Sequence, residues 1–316
     1  MKNLKATIYL TLFVLLLFSC DRQIAEDKSE EGTSHLMSIS LGGEFIKVTD
    51  SLMKCAPSSN SKTLYGINVL RKKSSEKNYT KYAYGLFDDP SAMQILLTEG
   101  YLYSFECTTV KGLEDSVYHA NRYYASPFLH ATKSPTLLAN QFVFSTTANL
   151  TGIGKGHTKI SESDSTNYPR TDRYFGTLSD FEPASATSIT INLNRAVFGL
   201  HFDILPPPDG TLSISCSPAT ITVSSSDQRY DKQFIYAFSQ TSAASAEGYN
   251  GNITVTLEWV RGNGETIRQN KSVNIKRNVM TTIKIDASSA RPGLPIHFNE
   301  EDKEMGHETV EWYINQ

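Results

Sequence analysis

Tyr101-Leu102-Tyr103-Ser104-Phe105-Glu106-Cys107-Thr108-Thr109 alternates cleanly. Tyr101, Tyr103, Phe105 and Cys107 share one parity, while Leu102, Ser104, Glu106 and Thr108 share the other. A period of two puts each set on its own face of a pleated strand, so this stretch reads as a strand with its aromatic face buried. Working outward, Leu64–Arg71 and Thr80–Phe87 flank the polar loop Lys72–Asn78 and read as a hairpin. Met93–Leu97 is a short apolar strand between the turns Asp88-Asp89-Pro90 and Glu99-Gly100, and Ser38–Val48 alternates loosely. Residues 111–171 are less regular, with one clear strand at Gln141–Phe144, and Asp172–Thr177 reads as the last strand of a first block.

A second block begins near Pro183. Ile189, Ile191 and Leu193 occupy one parity; Phe198, Leu200, Phe202 and Ile204 occupy the other. One flat strand cannot keep both sets on one side, so a β-bulge near Asn194-Arg195 is expected to return them to a common core. Pro206–Gly210 turns the chain, and Leu212/Ile214/Cys216, Ile221/Val223 and Phe234/Tyr236/Phe238 each alternate. Ile253–Trp259, the turn Gly262-Asn263-Gly264 and Ile267–Ile275 form the best local hairpin, and Val279, Ile283 and Ile285 close the block. Beyond the first twenty residues no long stretch has helical spacing. Short alternating strands with frequent turns predict an all-β chain of two antiparallel β-sandwiches, residues 36–182 and 183–290. In the tail, 291–316, Arg291-Pro292-Gly293-Leu294-Pro295 breaks the chain, and Val310, Trp312 and Ile314 alternate as a candidate terminal strand.

The N-terminus is of another kind. Lys2 and Lys5 precede the apolar run Ile8–Phe18, which is shorter than the roughly 20 residues that span a bilayer and fits a secretory signal. Leu17-Phe18-Ser19-Cys20 resembles the lipobox of bacterial lipoproteins, with Phe18 bulkier than the usual residue there. The resemblance implies a signal peptide over 1–19, a diacylated Cys20, and an outer-membrane, lipid-anchored protein with an acidic tether over 20–35. Such an acidic patch resembles the surface-export signal of Bacteroidota lipoproteins; a mere spacer is the alternative.

The chain has 316 residues and a net charge of −3, about −5 once the two signal lysines are gone. That excludes the basic density that nucleic acid demands. Cys55, Cys107 and Cys216 show no metal-binding spacing, and free buried thiols are expected over a disulfide framework. Gly152-Ile153-Gly154-Lys155-Gly156-His157-Thr158 has the wrong spacing for a phosphate-binding loop and is expected to be a flexible connection. The seven histidines are scattered and no Gly-x-Ser-x-Gly elbow occurs, so neither enzyme activity nor a cofactor or metal is expected. The 16 tyrosines serve either as a glycan platform or, at alternating strand positions, as core.

Asp172-Arg173-Tyr174-Phe175-Gly176, Asn194-Arg195-Ala196-Val197-Phe198 and Lys276-Arg277-Asn278-Val279-Met280-Thr281-Thr282-Ile283, together with the lipobox, resemble the fimbrillin-like lipoproteins of Bacteroidota, the subunits of type V pili. That resemblance implies transthyretin-like sandwiches and a structural or adhesive subunit whose partners are the outer membrane, other pilin subunits and a host or glycan ligand. It also implies assembly by strand donation after a cut at an arginine. Val310, Trp312 and Ile314 are then the candidate donor strand, the alternative being a last strand in its own sheet. Arg22 lies too near the lipid to release a strand, and Arg71 ends a strand, so an anchor or tip role stands beside a stalk role. A glycan-binding lipoprotein of a nutrient-uptake system is the other reading.

Overall fold

The computed structural model describes residues 32–47, 62–111, 117, 119–131, 134–157, 168–217, 219–287 and 306–313. The chain divides into Met1–Thr33 and Ser34–Gln316, and every strand among the described residues lies in the second unit. The fold is all-β, and the two α-helices among the described residues, Glu44–Lys47 (α1) and Thr241–Ala244 (α2), have four residues each.

The first sandwich contains Ser34–Gly43 (β1), Thr63–Lys73 (β2), Thr80–Phe87 (β3), Gln94–Thr98 (β4) and Tyr101–Lys111 (β5). Three small strands follow, His119–Ala120 (β6), Tyr123–Tyr124 (β7) and Thr136–Leu137 (β8), then Phe142–Phe144 (β9), Asp172–Phe181 (β10) and Ser188–Arg195 (β11). One eight-stranded sheet runs β4-β1-β11-β10-β5-β2-β3-β9. Its seam, β10 with β11, has only two register pairs, Tyr174↔Arg195 and Phe175↔Asn194. There the sheet folds over, so that Met37, Ile39, Ile95, Leu97, Ile189, Ile191 and Leu193 share a core with Ile67, Val69, Phe87, Tyr103, Phe105 and Cys107. The aromatic parity of β5 faces inward as its alternation requires. Its other parity is covered too, because Leu64, Leu86 and Val110 pack beneath Val117, Tyr124, Phe128 and Leu138 of the 117–138 excursion.

The second sandwich contains Val197–Leu205 (β12), Thr211–Cys216 (β13), Ala219–Ser224 (β14), Tyr230–Ala237 (β15), Asn250–Val260 (β16), Thr266–Lys276 (β17), Val279–Asp286 (β18) and Gly306–Tyr313 (β19). A β15-β12-β18-β19 sheet lies against a β14-β13-β16-β17 sheet. Phe198, Leu200, Phe202, Ile204, Ile283 and Ile285 from one meet Leu212, Ile214, Val255, Leu257, Trp259 and Ile275 from the other. The hairpin β16–β17 keeps eleven register pairs without a slip.

One expectation is corrected. Ile189, Ile191 and Leu193 belong to the first core, while Phe198 to Ile204 belong to the second. The parity change at Asn194–Ala196 therefore marks passage between sandwiches; it does not return one strand to a common core, and the change of core comes later than Pro183. Among the described strands the pairing is mainly antiparallel, as expected, while β1 with β11, β12 with β18 and β18 with β19 are parallel.

Phe105 and Phe202 are fully buried, one in each core, whereas Leu36 is 66% exposed. Phe105→Ala and Phe202→Ala are each expected to cost about 3–5 kcal/mol in urea unfolding. Leu36→Ala is expected to stay within ~0.5 kcal/mol.

Candidate functional site: the joint between the sandwiches and the terminal strand

The three internal motifs that stand far apart in the sequence meet where the sandwiches join. Ala196 is the backbone node: its N–H donates to Arg173 O at 2.8 Å and its carbonyl accepts from Phe238 N at 3.2 Å. Around it, Asn278 N donates to Val197 O at 2.9 Å and Ala237 N to Pro169 O at 3.0 Å. Gly176 stands against the same crossing, because a Cβ there would overlap Asn192 O.

A chain of charges closes the joint. The Glu44 carboxylate, delivered by α1 at the end of β1, accepts from Arg195 N at 2.7 Å and from Arg277 Nη2. Arg277 Nε donates to Arg195 O at 2.8 Å, and Arg195 Nε donates to Asp172 Oδ1 at 2.7 Å. Tyr174 Oη donates to Asp172 Oδ2 at 3.1 Å. Burial works against the Arg195 cation, but Asp172 and Glu44 more than offset it and raise its pKa. The Lys111 ammonium lies 4.4 Å from the Phe45 ring centre and 4.9 Å from that of Tyr174. Its pKa is lowered, first by burial.

Arg173 stands apart from this chain. It is fully buried, donating from Nη2 to Gly156 O at 2.9 Å and from Nε to Thr171 Oγ1 at 3.2 Å, while Nη1 has no hydrogen-bond partner. Burial pulls its pKa down to about 9. The loop it holds is Gly152–His157, and here a further expectation is corrected. Gly156 N donates to Ser239 O at 2.9 Å, Ser242 N donates to Gly154 O at 3.0 Å, and a Cβ on Gly156 would overlap Phe238 O. The glycines serve close packing against the second sandwich and make this a fitted wedge, not a flexible connection.

A second polar cluster lies on the outer face of the β15-β12-β18 sheet. His201 bridges Asp231 Oδ1 at 2.8 Å and Thr282 Oγ1 at 3.1 Å. Carboxylate, imidazole and hydroxyl stand in the order of an acyl-transfer triad. Thr282, however, lies mid-strand between His201 and Thr309 in register, so its ladder amides are engaged and form no oxyanion hole. Among the described residues no three His, Cys, Asp or Glu side chains come together as metal ligands. Cys107 and Cys216 are free thiols, pushed by burial up to about 12 and about 11. Of the tyrosines, Tyr65, Tyr103, Tyr124, Tyr174 and Tyr236 are buried, and only Tyr123 is among the exposed large hydrophobic side chains of the described residues.

Cys20 and Ile314 lie outside the described residues. Val310 and Trp312 fall in β19, the register partners of Ile283 and Ile285 on β18. Arg71 sits inside β2, with its guanidinium 4.6 Å and 4.5 Å from the Tyr82 and Tyr101 ring centres. Sequence reasoning missed Glu44 altogether, because its partners Arg195 and Arg277 are 151 and 233 residues away.

Neither a scan of family models nor a search of curated proteins finds a match to the chain. Solved structures similar to it include a candidate polysaccharide-binding protein from Bacteroides thetaiotaomicron, 12% identical, with a TM-score of 0.33 over 74% of this chain and 78% of that one. A candidate adhesin from Bacteroides ovatus is 10% identical, TM-score 0.31, over 80% of this chain and 87% of that one. The fimbrial anchor protein Mfa2 from Porphyromonas gingivalis is 11% identical, TM-score 0.28, over 75% and 82%. At these identities and TM-scores the likenesses carry no argument about this chain.

Two measurements check the joint. In a double-mutant cycle, Glu44→Gln with Arg277→Met is expected to show coupling of about 1–3 kcal/mol, as for hydrogen bonds to charged groups. His157 supplies a pH dependence: burial first, then Lys155 and Arg173, lower its pKa in the fold. The stability tied to its neutral form is therefore full above the unfolded value of about 6.5 and is lost as pH falls below it. Urea midpoints at about pH 7.5 and about pH 5.5 should differ less in His157→Gln than in the native chain.

Proposed function

We propose that this protein is a surface-anchored structural subunit of the adhesive or fimbrial kind, held by an acyl chain on Cys20 and working by contact. The observation that carries the reading is β19. After a connection of 19 residues (287–305), the end of the chain returns and adds eight register pairs, Gly306 to Tyr313, along the open side of β18. A strand reached by so long a connection is chemically interchangeable with the same segment of another chain, because the ladder is backbone and only the alternating side chains select. The lipobox resemblance at Cys20 and the acidic tether supply the anchoring half of the reading.

The role is that of an anchor or tip component. No arginine occurs between Arg22 and Arg71, and Arg71 lies within β2. A cut at an arginine therefore cannot free β1 while leaving β2 whole.

Mass spectrometry of the protein from its native membrane should find acyl groups on Cys20, and an antibody should find the chain in sheared surface fibres. Absence from both would overturn the reading. Strand exchange is tested with residues 20–290 and a synthetic peptide of residues 305–316. Binding is expected, with loss when the peptide carries Val310→Pro, since a proline within a strand fixes φ and is poorly accommodated in a ladder.

A further inference from the structure

We infer that the chain is a tension-bearing link in which β1, the first of the described strands, carries load in shear. Only the point where load enters, the N-terminal tether, rests on the anchoring reading. β1 begins at Ser34 opposite Thr98 and ends at Gly43, where Glu44 grips Arg195 and Arg277 at the joint. Ten extended residues span about 33 Å. The strand thus runs from the end of the first sandwich where the tether enters to the joint with the second, so a pull between those two ends acts along it.

The strands that lead from β1 into the second sandwich, β11 and β12, run in its direction, as do β18 and β19 beyond them. β1 pairs in parallel with β11 through six register positions, and antiparallel with β4 through five. β11 passes into β12 with only Ala196 between them, so the strand that takes the load from β1 itself enters the second sandwich. There β12 pairs in parallel with β18, and β18 in parallel with β19. A pull on the tether against the second sandwich therefore strains the β1 ladders together, whereas peeling would break their bonds one pair at a time. Side chains reinforce both ends. Ser40 Oγ donates to Ile189 O at 3.1 Å and lies 3.0 Å from Thr190 Oγ1, and His35 Nε2 lies 2.7 Å from Glu99 Oε1.

Single-molecule force spectroscopy on residues 20–316 decides it. One handle is attached at residue 20 and the other is inserted beside Asn263 in the exposed turn beyond the joint, with Gly264 kept because its φ is +86°. In the comparison geometry the second handle is inserted next to the exposed Gly100, beside Thr98 and Ser34, with Gly100 itself kept because its φ is +86°. Ser75 offers a second same-end geometry, because Lys73 pairs with Tyr101 at that end and Ser75 is exposed. At one loading rate, the first rupture through the Gly262–Gly264 handle is expected at about three-fold or more the force of the same-end geometries, the ladders failing together and not in sequence. Equal forces, or a lower force in the first geometry, would overturn the inference. The pulled chain carries no lipid, so this outcome is independent of whether Cys20 is acylated.

Discussion

Side-chain parity along an extended strand is the constraint on which the molecule is built. Leu193 faces the first core and Phe198 the second, and the chain between them has five peptide units in which to change sides. It does so by passing from one sandwich into the next, with Ala196 pinned on both its N–H and its carbonyl. A small residue suits this node, since Arg173, Phe238 and Val197 all approach it. Once the crossing is fixed, β11 and β12 set the neighbours of every other strand near the joint.

The joint is polar because it is made from strand ends, whose backbone groups have no ladder to continue. Glu44, Arg195, Arg277 and Asp172 fill those needs with charge-assisted bonds, which are shorter and stronger than neutral ones. Buried ion pairs contribute less to stability than to a unique arrangement, because desolvation offsets much of the attraction. The apolar cores hold each sandwich together, and the ionic chain fixes how one meets the other. Arg173 differs from these groups in that its hydrogen bonds go to neutral oxygens, of Gly156 and Thr171, so burial lowers its pKa.

Alternation made the strands legible. Tyr101–Thr109 and the hairpin across Gly262–Gly264 take the form their parity predicts, because a half-buried strand must place its apolar residues on one side. The mixture of parallel and antiparallel pairing was not legible, since parity says which face is buried and nothing of which strand lies alongside. The same limit explains the parity break at Asn194-Arg195: a bulge and a change of core leave the same mark on one chain. The three motifs near Arg173, Arg195 and Arg277 were visible, but their meeting was not. Nothing in a single sequence ties Glu44 to an arginine 233 residues later. Glycines read as freedom at Gly152–Gly156 serve contact instead, a distinction that only the neighbouring carbonyls reveal.

The pairing of β1 with β11 also dictates an order of events. Ser38 waits for Ser188, so a chain that emerges N-terminus first releases its opening strand 150 residues before the parallel neighbour exists. Until then Met37, Ile39 and Leu41 have only β4 beside them, and the short layer they belong to cannot close over its core. Such long-range closure is slow and leaves a sticky intermediate. The first sandwich is thus a late product of synthesis although it is encoded first, and the cell must shield its leading edge during that interval.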